Sequence, residues 1–218
     1  MLITISRQYG AGGSTVARLV AQRLGWSLVD NELVDRVAAR AGLTPQEVAA
    51  HEERSPGFFE RIVLALASSS QEILTPESAQ ALKPIEEPRL VEITEKVVAE
   101  VAAEGKVVLV GRAATAVLAG EHAAIHARLV APKAHRIGVV AARLGVDRAA
   151  AETAIDQTDA NRARYHQEYY GREWSDPANY HLILNTGVLG NEGAAGLIVA
   201  RAHQLGWTDS GEWPLVLT

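Results

Sequence analysis

Apolar and polar positions along this chain switch repeatedly between the period of a strand and the period of a helix. Residues 2–6 (Leu-Ile-Thr-Ile-Ser) are apolar or β-branched up to a polar end and predict a strand. A glycine-rich turn, Tyr9-Gly10-Ala11-Gly12-Gly13, follows, and Ser14 and Thr15 open a helix in which Val16, Leu19, Val20 and Leu24 fall on one stripe. Gly25 ends that helix, and residues 26–29 predict a second short strand that stops at Asp30. Helices are predicted over about 32–41 and from Thr44-Pro45-Gln46-Glu47, a capping box. Residues 55–89 differ in character, with Pro56, Pro76, Pro84 and Pro88 around Ser68-Ser69-Ser70. They read as one helix near 58–67 within mobile loop, a candidate insertion that closes over a ligand. A helix over 90–104 leads to Val107-Val108-Leu109-Val110, an unbroken apolar run suited to the centre of a parallel sheet, ending in Gly111-Arg112. A strand at 124–130, a helix at 132–144, charged helices over 147–170, a fifth strand at 180–184 and a helix at 192–205 complete the order. The alternation predicts an α/β fold with a largely parallel sheet and helices on both faces.

A strand, a glycine turn and a helix N-terminus together make an anion site, because free backbone N–H groups and the helix dipole point into the turn. Two phosphate loops are built this way. The dinucleotide fingerprint G-x-G-x-x-G is met at Gly10 and Gly12, but Thr15 stands where its third glycine belongs. Asp30 sits near the place of a ribose-binding acid, which keeps an NAD-dependent dehydrogenase as a distant reading; the spacer Arg7-Gln8-Tyr9 is long for that turn. The triphosphate loop G-x-x-x-x-G-K-[ST] fits in length. With Gly12 as its second glycine, Arg7 replaces the first, Gly13 replaces the lysine, and Ser14 supplies the hydroxyl. A plain turn without ligand is the simpler alternative.

Charge and composition narrow the classes. The 218 residues carry 21 Lys plus Arg against 26 Asp plus Glu, a net charge of −5, which argues against nucleic acid as the main partner. With no cysteine, disulfide scaffolds, thiolate zinc sites and cysteine nucleophiles are excluded. No apolar run approaches the ~20 residues needed to span a bilayer, and residues 1–6 lack a signal core, so the expected location is cytoplasmic. The cations are 17 Arg and only 4 Lys. Codon bias explains scattered surface cases; a site gripping phosphate oxygens bidentately is the functional explanation.

Residues 3–13 (Ile-Thr-Ile-Ser-Arg-Gln-Tyr-Gly-Ala-Gly-Gly) resemble the cytidylate kinase-like family, P-loop relatives of cytidylate kinase. So do Val110-Gly111-Arg112, His126-Ala127-Arg128-Leu129-Val130-Ala131-Pro132, Asp156-x-x-Asp159-x-x-Arg162 and residues 180–186. The resemblance runs from Leu2 to Leu205 and implies a single three-layer P-loop domain over 1–218. That domain would carry a helical, acceptor-side insertion at 31–95 and a lid at 145–178. It implies transfer of the terminal phosphoryl group of ATP, with Mg2+, to a nucleoside monophosphate or other small acceptor. Gly10, Ala11, Gly12, Gly13, Ser14 and Thr15 would cradle the donor phosphates, with Ser14 and Thr15 toward the metal. Asp30, Gly111, Arg112, Asp159 and Arg162 would meet the acceptor, and Arg136 would open the helix before the lid.

The departures from the pattern of proper cytidylate kinases concern charge. Lysine is missing at Gly13, Ala113 replaces the aspartate after Gly-Arg, Val139-Val140 replaces a basic pair, and Ile155 replaces an arginine. Phosphoryl transfer depends on cations around the equatorial oxygens, so these losses without replacement would nearly abolish it. Arg7 is the candidate substitute for the lysine, with Arg112, Arg136 and Arg162 as the other expected catalytic cations. An arginine packed on Tyr9 or paired with a surface acid is the plain alternative for Arg7. Arg128, Lys133, Arg164 and Arg172 are expected around the lid, and Tyr165, Tyr169, Tyr170 and Trp174 are expected to stack a base or pack a helix. His51-Glu52-Glu53 and His122/His126 are not expected to make a metal site. The apolar tail 213–217 is expected to cover a sheet edge or join a second subunit in a homodimer. A nucleotide-binding sensor or regulator with little transfer activity is the alternative that the missing lysine favours.

Overall fold

The computed structural model describes residues 1–30, 40 and 87–208, with backbone alone for 87–90. Element labels number the described elements. The helices expected over 32–41, from 44 and near 58–67, most of the insertion at 31–95, and the tail 209–218 lie outside the described residues.

Five strands, β1 (Leu2–Arg7), β2 (Ser27–Val29), β3 (Val107–Val110), β4 (Ala124–Val130) and β5 (Leu182–Asn185), form one sheet in the order β2-β3-β1-β4-β5. Every pairing is parallel, so the sheet is more uniform than the expected "largely parallel". β1 lies in the middle, with Thr4 opposite both Leu109 and His126. The second strand lies outside the third. A dinucleotide fold of the 3-2-1-4-5-6 order would place the second strand beside the first, so this order departs from the dehydrogenase reading.

The pleat divides β1 between two cores. Ile3 and Ile5, fully buried, face α1 (Gly13–Leu24) and α6 (Thr186–Gln204) through Val16, Val20, Ala194 and Ile198. Leu2 joins the opposite core, with Val97, Val98 and Val101 of α2 (Glu87–Glu104) and Ala114 of the short α3 (Ala114–Val117). Thr4 and Ser6, on that same face, are buried but polar. β4 continues the pattern: His126 and Arg128 are buried beside them, whereas Ile125, Ala127 and Leu129 enter the apolar core.

Two elements differ from expectation. The segment 147–170 is one 23-residue helix, α5 (Arg148–Tyr170), whose N-cap Asp147 accepts from the Ala150 amide. It is joined to α4 (Lys133–Leu144) by a tight turn with Gly145 in the left-handed region. The last helix begins at Thr186, six residues earlier than predicted, because Asn185 caps it through the Gly187 amide. A kink at Gly190 then redirects it. Ile137, Val140, Ala151 and Ile155 form the seam between α4 and α5. Val140 and Ile155, expected above as replacements for basic residues, are packing residues that hold two helices together.

Candidate functional site

The parallel sheet brings the C-terminal ends of all strands to one edge, and the glycine turn after β1 sits there. Gly10 and Gly12 both have left-handed backbone, φ 83° and 76°. Gly12 is the N-cap of α1 and has no side chain to satisfy the first amides. Among the described residues, no hydrogen bond takes up the N–H groups of Gly10, Gly12, Gly13, Ser14 or Thr15. Five amide donors at the positive end of a helix dipole, with the Ser14 side chain exposed beside them, are a cradle for an oxyanion.

The residues ahead of the cradle are fixed from outside by α4 and α5. The Tyr9 amide donates to Asp159 Oδ1 at 2.8 Å, and the Tyr9 carbonyl accepts from Arg136 Nη1 at 3.2 Å. Arg136 Nη1 also pairs with Asp159 Oδ2 at 2.7 Å, and Arg136 Nε donates to the Ala131 carbonyl. Arg162 Nη1 donates to the Arg7 carbonyl at 3.0 Å and lies 3.8 Å from Asp159. Gln8 Oε1 accepts from the Ala131 amide, and Arg143 and Arg162 stand over the Tyr9 ring at 4.8 and 5.8 Å. Arg136 is 6% exposed. The structure therefore brings Arg136, Asp159 and Arg162 together at the loop, where they grip its backbone.

Arg7 crosses the same region. Its side chain lies against Gly13 and its guanidinium against Gly111, so a Cβ on Gly13 would stand 2.6 Å from Arg7 Cγ and one on Gly111 would overlap Nη1. Gly111, Arg112 and Ala113 have left-handed backbone in succession, φ 72°, 55° and 48°. Two of them lack the freedom of glycine, a strained conformation of the kind that collects at binding sites. Asp30 follows β2, with β3 between it and β1. Asn191, after the kink in α6, reaches Gly12 closely enough that a Cβ there would overlap its Oδ1. Asn191 is not among the residues the sequence points to; the Gly187/Gly190 pair ahead of it is the signal available there.

Other expected site residues lie elsewhere. Lys133 pairs with Glu152 and Asp156 on the exposed side of α4 and α5. Arg128 is buried, 4.0 Å from the Trp174 ring, and donates to the Trp174 carbonyl and the Tyr180 hydroxyl. Ser6 accepts from the Trp174 indole at 3.0 Å in the same cluster. Trp174 thus packs a buried arginine, while Tyr165 and Tyr169 pack on each other at 4.8 Å. No group of three metal-ligating side chains occurs among the described residues.

Beneath this cluster two histidines are held neutral. Burial lowers His126 from 6.5 to about 4, aided by His181 and Arg172 and opposed by a backbone contact from Leu118. Its Nδ1 lies 2.7 Å from Thr4 Oγ1, which in turn meets Thr115 Oγ1. Burial also lowers His166 to about 4, with Arg128, Arg172 and Arg162 adding to the effect. Between pH 6.5 and about 4 the unfolded chain binds protons at these positions and the folded chain does not, so stability falls as the pH falls through that window. The thermal midpoint is expected to drop across it, and less steeply in His126→Asn/His166→Asn. An equal slope in that variant would assign the acid loss to other groups.

Fold and cradle together define a P-loop kinase-type α/β protein. A family model described as the cytidylate kinase-like family matches residues 2–188, and the chain belongs to that family. Among curated relatives, a cytidylate kinase of Archaeoglobus fulgidus is 26% identical over 203 residues, covering 91% of this chain and 93% of that protein. A cytidylate kinase of Shewanella frigidimarina is 34% identical over 84 residues, 38% of this chain and 34% of that protein. Among solved structures, a protein of Eubacterium ventriosum superposes with a TM-score of 0.66 at 21% identity, over 93% of this chain and 98% of the other. Shikimate kinase of Bacteroides thetaiotaomicron superposes at 0.52 with 15% identity, over 94% and 97%. No helix among the described residues is long and apolar enough to cross a membrane.

Proposed function

We propose that this protein transfers the terminal phosphoryl group of ATP to a nucleoside monophosphate. The observation that carries the reading is the set of five unengaged amides at residues 10 and 12–15, facing the positive end of α1. In the reaction an oxygen of the acceptor phosphate attacks Pγ, the Pγ–O bond to the β-phosphate breaks, and ADP leaves with that bridging oxygen. The acceptor phosphate is already ionised, so no proton needs to be moved. The cradle binds and orients the donor phosphates. Arg112, at the end of β3, and Arg162, above the Arg7 carbonyl, are the cations on the acceptor side, and Asp30 is the acid toward the acceptor sugar or base.

Mg2+ keeps several waters and needs only one or two protein oxygens beside the phosphates, which fits the exposed Ser14 side chain at the first turn of α1; Thr15 is adjacent. When bound, the ion neutralises charge on the β- and γ-phosphates. Arg136 and Asp159 act here as positioning residues, because both are engaged with the Tyr9 backbone.

The absence of lysine at residue 13 favours a second reading, a nucleotide-binding regulator with little transfer activity. Titration with ATP, CMP and NAD, followed by coupled ADP release with each nucleoside monophosphate, separates the two. Transfer with at least one acceptor is expected. ATP binding with no ADP released on any acceptor would establish the regulator, and NAD binding without ATP binding would overturn both.

A further inference from the structure

We propose that Arg7, Gly13 and Gly111 form one unit in which the cation of the phosphate loop enters from the loop's first position instead of its seventh. The inference rests on residues 10–15 being a phosphate loop. In the G-x-x-x-x-G-K-[ST] arrangement the first residue is glycine and the residue after the second glycine is lysine. Here both letters change together, to Arg7 and Gly13.

The geometry gives the reason. Arg7 ends β1 and its side chain runs across Gly13, with Cγ 2.6 Å from where a Cβ on residue 13 would be. Its Cβ and Cδ would both be 3.2 Å from that same atom. With Arg7 in this conformation a side chain at residue 13 has no room, so a lysine there would displace Arg7 from its path. Beyond Gly13 the guanidinium comes to rest over Gly111, where any side chain would overlap it. Gly111 is the left-handed residue that closes β3, the strand next to β1, so the charged end of Arg7 lies between the loop and the β3 end. Arg162 steadies the backbone of the same residue by donating to the Arg7 carbonyl. Arg7 thus brings a planar, bidentate cation past Gly13 to Gly111, in place of a lysine's point charge at residue 13.

The arrangement predicts reciprocal behaviour, read with inorganic tripolyphosphate by calorimetric titration on the full chain. Arg7→Ala and Arg7→Gln are expected to weaken binding about tenfold or more, the loss of one or two charge-assisted hydrogen bonds. Gly13→Lys alone is expected to lower both affinity and thermal midpoint, because the new side chain meets Arg7. Arg7→Gly/Gly13→Lys is expected to recover affinity to within about threefold of the parent and to restore the midpoint, a coupling that independent sites do not show. Parent protein that binds tripolyphosphate with an affinity unchanged in folded Arg7→Ala and Arg7→Gln would overturn the proposal and leave the phosphate loop standing. A double variant no better than Gly13→Lys would overturn the displacement. Parent protein without affinity for tripolyphosphate would overturn the loop reading and this proposal together.

Discussion

Asp159→Asn is expected to lower the thermal midpoint by on the order of 10 °C and to abolish measurable nucleotide binding. The carboxylate has two partners that need different things from it. Oδ1 accepts from the Tyr9 amide, a role an asparagine carbonyl can keep. Oδ2 faces Arg136 Nη1 at 2.7 Å, where the asparagine NH2 would set a donor against a donor. Arg136 is buried, and removing one member of such a pair leaves its charge uncompensated at a cost of about 3 kcal/mol or more. For a chain of this length that corresponds to roughly 10 °C. The loss reaches function because Arg136 also holds the Tyr9 carbonyl, so the segment ahead of the cradle is released. Arg136→Met/Asp159→Asn is expected to regain part of the stability, since no buried charge then lacks a partner. A midpoint within about 2 °C of the parent for Asp159→Asn would contradict this account.

Gly12→Ala is expected to weaken ATP binding by at least about tenfold while the protein stays folded. Its φ of 76° costs an alanine about 1–2 kcal/mol, and the added methyl group would overlap Asn191 Oδ1. Both effects push the loop away from the backbone shape that leaves its amides unengaged. Adding Asn191→Gly relieves the overlap and leaves the backbone penalty, so the double variant is expected to recover only part of the affinity. The check is calorimetric titration of both variants beside the parent. Unaltered affinity in Gly12→Ala would show that binding does not use this turn.

The contrast between Gly12 and Asn191 illustrates what the sequence makes legible. Local order reads well: the apolar run into a glycine turn, the helical stripe from Val16 to Leu24, and the unbroken Val107–Val110 strand each carry their own period. Family membership followed from the order of short motifs, none of them decisive singly. Contacts made over long distances in sequence do not read. Nothing near residue 12 announces that residue 191 lies above it, and nothing near Arg128 announces Trp174. Arg128 is expected around the lid, whereas the structure buries it against Trp174. The available signal was the alternation of His126 and Arg128 with Ile125, Ala127 and Leu129, which marks a central strand with one polar face. Val140 and Ile155 looked like lost charges, and only the packing of α4 on α5 shows what replaced them. The outer position of β2 depends on β3, made about 80 residues later, and could not be read from either strand alone.

The central place of β1 also governs how the protein is made. Both of its neighbours, β3 and β4, are synthesised more than 100 residues after it. At about 5–20 residues per second, a ribosome leaves this apolar strand without either partner for on the order of ten seconds. Pairings so distant in sequence close slowly, because a long loop must be ordered before any contact repays it. Until β3 and β4 have been made, the nascent chain presents Leu2–Arg7 without a partner strand, a segment suited to chaperone capture and to mispairing with other chains. The glycine turn that follows β1 takes its final form only after α5 has been made and Asp159 reaches Tyr9.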